Sequence, residues 1–207
     1  MPMRDVERTP QAVWNALQEG NQRFVNYQTM HPNQDSSRRY ELRTGQSPRA
    51  LVLSCSDSRV PVEMIFDVGL GDLFVVRTAG EILDLAVLSS LEFAIETLQV
   101  PLVVVMGHES CGAVKATAEA LAGGEIPGGL QRVMVEKVSP SILVAKSKGK
   151  TDIADFEREH VVETVDQVID RSPVMQARMA SGDVGIVGLR YRLSDTCTET
   201  VTTRRVE

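Results

Sequence analysis

The chain has 207 residues, 43% of them hydrophobic and 24% charged, which suits one soluble domain with a full core and excludes disorder, a collagen-like repeat or a small disulfide scaffold. With 22 basic against 28 acidic residues, a net charge of −6 and only 4% aromatics, a broad basic face for nucleic acid and a stacking platform for single strands are excluded as well. No run of about 18 apolar residues exists to span a bilayer, Arg4, Asp5, Glu7 and Arg8 leave no room for a secretory signal, and an odd set of cysteines (Cys55, Cys111, Cys197) fits free thiols in the cytoplasm rather than a disulfide framework.

In chain order, Thr9 is a candidate N-cap with Pro10 at the first helical position, and Val13, Trp14, Leu17, Phe24 and Val25 follow at helical spacing. Residues 29–48, with His31-Pro32, Asn33, Ser36, Ser37 and Gly45, predict a polar connection holding one helical turn. The rhythm then changes. Ala50–Leu53, Leu73–Val76 and Leu102–Met106 are continuous, β-branched-rich apolar runs, the pattern of parallel strands buried on both faces. Leu85, Leu88, Leu91, Ile95 and Leu98 supply a helical crossover, and Ala113–Leu121 a second helix. Residues 130–146 and 152–180 read as mostly helical, with Pro140 and Pro173 expected at helix starts or breaks. Val184–Leu193 is a fourth strand, and after a turn at Asp195 the stretch Cys197–Thr203 alternates like an edge strand. The expected fold is α/β: a mostly parallel sheet of order 2-1-3-4 with an antiparallel edge strand 5, flanked by helices. A helical arm over 1–48 leads into an α/β core over 49–207, all in one domain.

Chemistry gathers after two of these strands. Cys55-Ser-Asp57-Ser-Arg59 follows the first, and Gly107-His108-Glu-Ser-Cys111-Gly112 follows the third. In an open α/β sheet ligands bind at the carboxyl ends of strands, where neighbouring connections leave in opposite directions. Cys55 and Asp57, two apart at a strand end, and His108 and Cys111, three apart entering a helix, form a tetrahedral donor set for Zn²⁺. The helix start also favours thiolate over thiol. Either pair alone is weak, because a cysteine after a strand is usually a small buried hydrophobe; together, at matched strand ends, they point to a metal.

These motifs, with Phe74-Val-Val-Arg77 and the lead-in Gly45-Gln46-Ser-Pro, resemble the β-class carbonic anhydrases, of the bacterial cytosolic type, over nearly the whole chain. The resemblance implies a lyase with one Zn²⁺ per chain that hydrates CO₂ reversibly to bicarbonate and a proton through zinc-bound hydroxide. It implies Cys55, His108 and Cys111 as permanent ligands. Asp57 either fills the fourth position or pairs with Arg59 and leaves that position to water, so the two residues gate and orient the site. Gln46 would hydrogen-bond bicarbonate near the amide of Gly112, and Phe74 would wall the CO₂ pocket. The implied partners are CO₂ and bicarbonate and a second copy, in a homodimer or a tetramer, with no nucleic acid and no membrane. Two thiolates and a neutral imidazole cancel the charge of Zn²⁺, which implies weaker activity at neutral pH than in alkali. Val52 replaces the Trp that bicarbonate-regulated members carry, so Arg77 is expected to be structural, for example paired across a subunit interface.

Two competing readings remain at this level: a hydrolase of a CO₂ analogue such as carbon disulfide on the same fold, and a silent zinc-binding regulatory homologue. A silent site would need neither Asp57 nor Arg59. Of the other residues, His160 between Glu159 and Glu163 reads as a solvated helical histidine, His31 as a loop residue, and Cys197 as a partly buried free thiol. Trp14 and Phe24 read as core or subunit-contact residues, and Glu63, Glu81, Asp84 and Glu92 as helix caps or solvent-facing groups.

Overall fold

A computed structural model describes residues 3–207. Its strands are β1 (Ala50–Cys55), β2 (Leu73–Thr78), β3 (Leu102–His108), β4 (Gly185–Tyr191) and β5 (Thr198–Arg204). They form one sheet of order β2-β1-β3-β4-β5, parallel except for the antiparallel β4–β5 pair. This is the order expected from the sequence. Every residue of β1, β3 and β4 is buried, whereas the edge strands β2 and β5 are partly exposed, which is why the inner strands read as unbroken apolar runs.

Alternate strand residues serve two cores. On one face Ala50, Val52, Leu102, Val104 and Met106 pack on α1 (Pro10–Val25) and α3 (Val62–Ile65) through Val13, Trp14, Leu17, Val62 and Ile65. On the other, Leu51, Leu53, Val103, Val105 and Ile186 pack on α4 (Leu85–Glu96), α7 (Ile153–Arg171) and α8 (Pro173–Ala180). A third cluster, built by α5 (Gly112–Leu121), α6 (Arg132–Ser147) and Phe156 of α7, encloses Cys55 and Cys111 at the carboxyl end of the sheet.

Local chemistry fixes the helix ends. The Thr9 hydroxyl accepts from the Ala12 amide with Pro10 at the first position, and Asp84 caps α4 by accepting from Val87 at 2.8 Å. The polar connection carries α2 (Ser36–Glu41), capped by Asp35. Pro173 opens α8, as expected, but Pro140 lies inside α6 rather than at a break. The helix runs through it, and because Pro140 has no N–H the Glu136 carbonyl loses its i→i−4 partner. Among the described residues no helix is long and apolar enough to cross a membrane.

Candidate metal centre

The chain leaves β1 toward β2 on one side and β3 toward β4 on the other, so the crevice between the carboxyl ends of β1 and β3 is the switch point of the sheet. Cys55 ends β1, His108 ends β3, and Cys111 is the residue before the first turn of α5. The loop between them turns sharply at Ser110, whose φ is +58°. The Sγ atoms of Cys55 and Cys111 and a ring nitrogen of His108 all lie within 4.8 Å of one another, and all three residues are buried. A tetrahedral zinc with Zn–S and Zn–N bonds of ordinary length sets its ligand atoms about 3.5–3.8 Å apart, inside that spread.

The imidazole shows that the cluster suits a cation. His108 is fully buried, and its Nδ1 lies 2.9 Å from the Glu109 carbonyl. That acceptor fixes the proton on Nδ1 and turns the lone pair of Nε2 inward. Nε2 is buried and has no hydrogen-bond partner among the described residues, a costly arrangement unless something ligates it. Two sulfurs and one imidazole nitrogen are the donors of a thiophilic, tetrahedral dication such as zinc.

One of the two thiols is prepared for this. Cys55 is held well below the ordinary thiol range, chiefly by hydrogen bonding with the Cys111 thiol, against the opposing effect of burial, and then by His108 and the Gly80 amide. Cys111, sharing the same proton, is pushed up by Cys55 and by burial. The Gly80 N–H donates to Cys55 Sγ at 3.3 Å. Gly80 has φ +71°, and a Cβ there would stand 2.6 Å from the Ala113 Cβ, so both conformation and space require glycine.

Asp57 stands beside the cluster and outside it. Its Oδ1 accepts from Arg59 Nε at 2.9 Å and from the Arg59 amide at 2.9 Å, and its Oδ2 accepts from Nη2 at 2.7 Å. Of the two arrangements left open by the sequence, the structure has the one in which Arg59 holds the carboxylate. This grip keeps Asp57 far below the usual carboxylate range. Oδ2 is nonetheless 4.0 Å from His108 Nε2, and Arg59 Nη2 also reaches the Ser110 carbonyl at 3.3 Å. Gly112 opens α5 with open space where a Cβ would be.

Two expected site residues are not brought to this end by the same chain. Gln46 is exposed and precedes β1 at the strand end opposite Cys55, and β1 alone spans about 17 Å between them. Phe74 pairs with Leu51, four registers away from the Cys55–Thr78 pair, and packs near Phe93 with ring centroids 6.1 Å apart. Arg77 is engaged within its own chain: Nε donates to the Cys55 carbonyl at 3.0 Å and Nη2 to the Asp57 carbonyl at 2.8 Å, clamping the exit of β1. His31 bonds Thr29 in the connection after α1 and has no part in the cluster.

Sequence reading missed the polar layer beneath the cluster. His160 is 2% exposed and Glu81 1% exposed; neither faces solvent. Glu157, also buried, accepts from the Cys111 amide at 3.3 Å and from Arg190 Nε at 2.7 Å. The usable signal was on α7, where Glu157 and His160 fall in the buried stripe of Phe156, Val161, Val165 and Val168.

Comparison with known proteins points to one family. The sequence model described as carbonic anhydrase matches residues 50–198. A carbonic anhydrase of Mycolicibacterium smegmatis is 52% identical over 186 residues, covering 90% of each chain. Carbonic anhydrase 2 of Mycobacterium tuberculosis is 50% identical over 186 residues, again 90% of each. Among solved structures, the β-carbonic anhydrase CcaA superposes with a TM-score of 0.71 at 26% identity, over 90% of this chain and 86% of that one. A tetrameric β-carbonic anhydrase of Sordaria macrospora shares the fold at a TM-score of 0.73 and 21% identity, over 93% and 99%.

Proposed function

The chain belongs to the β-class carbonic anhydrase family, and from that premise we propose that it interconverts carbon dioxide and bicarbonate on one zinc ion held by Cys55, His108 and Cys111. The observation that carries this reading is the buried, unpartnered Nε2 of His108, aimed between two cysteines with its other nitrogen already engaged. When bound, zinc would supply a Lewis acid that lowers the pKa of a coordinated water, less strongly with two thiolate ligands than with neutral ones, so that water becomes a competent nucleophile toward alkaline pH.

The residues of the chain supply the rest. Cys55 and Cys111 enter as thiolates and offset the charge of the ion, while His108 enters neutral. The Asp57 carboxylate, kept ionised by Arg59, accepts a hydrogen bond from the attacking water and turns its lone pair toward the carbon of CO₂. The water oxygen bonds to that carbon, and one proton leaves to solvent. The Gly112 amide at the start of α5, where open space replaces a side chain, offers a donor to the developing anion. Arg59 needs no further role than holding Asp57 away from the Cys55–His108–Cys111 cluster, and the bidentate geometry suits it to that. A silent metal site would have no use for this pair.

Gln46 and Phe74 take part only if a second copy brings them, since their own chain holds them at the far end of β1 and β2. The assembly we propose is therefore a homodimer, or a tetramer built from dimers, of an enzyme with a 1–48 arm and a 49–207 core. Its free cysteines suit the cytoplasm. Loss of ¹⁸O from labelled bicarbonate at equilibrium tests the reaction. Exchange is expected with zinc-loaded protein, is abolished by chelation and returns with zinc; exchange that survives complete zinc removal overturns the proposal.

A further inference from the structure

His160 sits one layer beneath the metal cluster and touches none of its ligands, yet it is tied to one of them through a single peptide. Its Nε2 lies 2.8 Å from the Gly80 carbonyl and its Nδ1 lies 2.9 Å from the Ser141 hydroxyl. A carbonyl only accepts, so Nε2 carries the proton, and Nδ1 accepts from the Ser141 O–H. The ring is 2% exposed and Ser141 is fully buried. Glu81 also faces the ring, but its Oε1 is 4.0 Å from Nε2, beyond hydrogen-bond reach. The Gly80 residue whose carbonyl takes this bond gives its N–H to Cys55 Sγ at 3.3 Å.

We infer that His160 is a positioning residue for the Cys55 ligand, acting through Gly80: it anchors the carbonyl of that residue so that its N–H stays aimed at the thiolate sulfur. Gly80 makes the device sensitive, because φ +71° and the absence of a Cβ leave it no side chain to hold its orientation. An N–H bond to a thiolate withdraws electron density from sulfur and so sets how strongly that sulfur donates to a metal. The helix presents Glu157 three residues earlier on the same face, to the Cys111 amide. One helix thus supports both cysteine-bearing segments from below, and His160 serves the one whose sulfur receives the N–H bond.

The inference rests on Cys55 being a metal ligand, and the test separates the two. Co(II) is titrated into metal-free wild type, His160→Leu and His160→Gln, and the sulfur-to-cobalt charge-transfer band and the Co(II) affinity are read. Leucine fills the space without a donor, and a glutamine amide nitrogen reaches the place of the imidazole Nε2. In His160→Leu the sulfur loses the aimed N–H, so the band is expected to move to longer wavelength, and the ligand loses its fixed position and thiolate stabilisation, so affinity is expected to fall about 10–100-fold; His160→Gln restores both toward wild type. A folded His160→Leu protein with the wild-type band and affinity overturns the inference while leaving the metal site intact. A wild type without any charge-transfer band removes the metal site itself, and the inference with it. Should His160→Leu fail to fold, ¹¹³Cd-loaded wild type decides: scalar coupling between cadmium and the Gly80 amide proton is expected, and its absence overturns the relay.

Discussion

Replacing Asp57 with asparagine changes one oxygen to an amide and should separate stability from chemistry. The substituted side chain keeps an acceptor for the Arg59 amide and Nε, but turns N–H groups toward Nη2, where Oδ2 now accepts at 2.7 Å. The pair is open to solvent, with side-chain exposures of 51% for Arg59 and 19% for Asp57. A pair so exposed contributes little to stability, so Tm should stay close to that of the wild type. Asp57 lies outside the Cys55–His108–Cys111 cluster, so one zinc per chain should be retained. Turnover should nevertheless fall about 10²-fold or more, the usual cost of losing a group that engages the reacting atoms only as the reaction proceeds. Zinc content, thermal melting and stopped-flow CO₂ hydration on the same preparation read all three. Unchanged turnover in zinc-loaded, folded Asp57→Asn protein would refute the assigned role, and loss of zinc would show Asp57 to be a ligand after all.

Two further perturbations probe the layer around the site. Burial pushes the Glu81 carboxyl up to about 8, helped by the Cys55 thiolate; a raised carboxyl favours the protonated fold, so the penalty is absent below about pH 4.5, grows toward 8 and is complete above it. Glu81→Gln should therefore gain a few kcal/mol over wild type in the metal-free protein between about pH 5 and 8.5, read by urea unfolding; a pH-independent difference would refute the burial argument. Gly80→Ala must accept φ +71° and a Cβ 2.6 Å from the Ala113 Cβ, and should lose about 1–3 kcal/mol together with zinc affinity. A Gly80→Ala protein as stable and as zinc-avid as wild type would contradict the packing described.

The parts legible in the sequence were those with one physical reading. Ala50–Leu53 and Leu102–Met106 could be unbroken apolar runs only if both strand faces were covered, and that placed Cys55 and His108 at the carboxyl ends of two buried parallel strands. The β5 edge was legible from alternation over Cys197–Thr203. His160 and Glu81 were not. Glu159 and Glu163 suggested a wet helix face, and nothing local shows that Lys148 lies beside Glu159 at 2.5 Å or that the ring turns inward beneath Gly80. A buried polar group has the same spelling as an exposed one; only its partners, at Ser141 and Gly80 far along the chain, distinguish them. Arg77 is a similar case, since its clamp on Cys55 and Asp57 depends on the β1–β2 register. Gln46 and Phe74 were expected from the resemblance alone, and their own chain holds them at the end of β1 and β2 opposite Cys55.

The most direct test of the account is stopped-flow CO₂ hydration by zinc-quantified protein from about pH 6.5 to 9, the range in which a water held by a neutral two-cysteine, one-histidine site should ionise. The account predicts a rate that scales with zinc up to one per chain and rises with pH. Protein that carries one zinc per chain and leaves hydration at the uncatalysed rate throughout would contradict it.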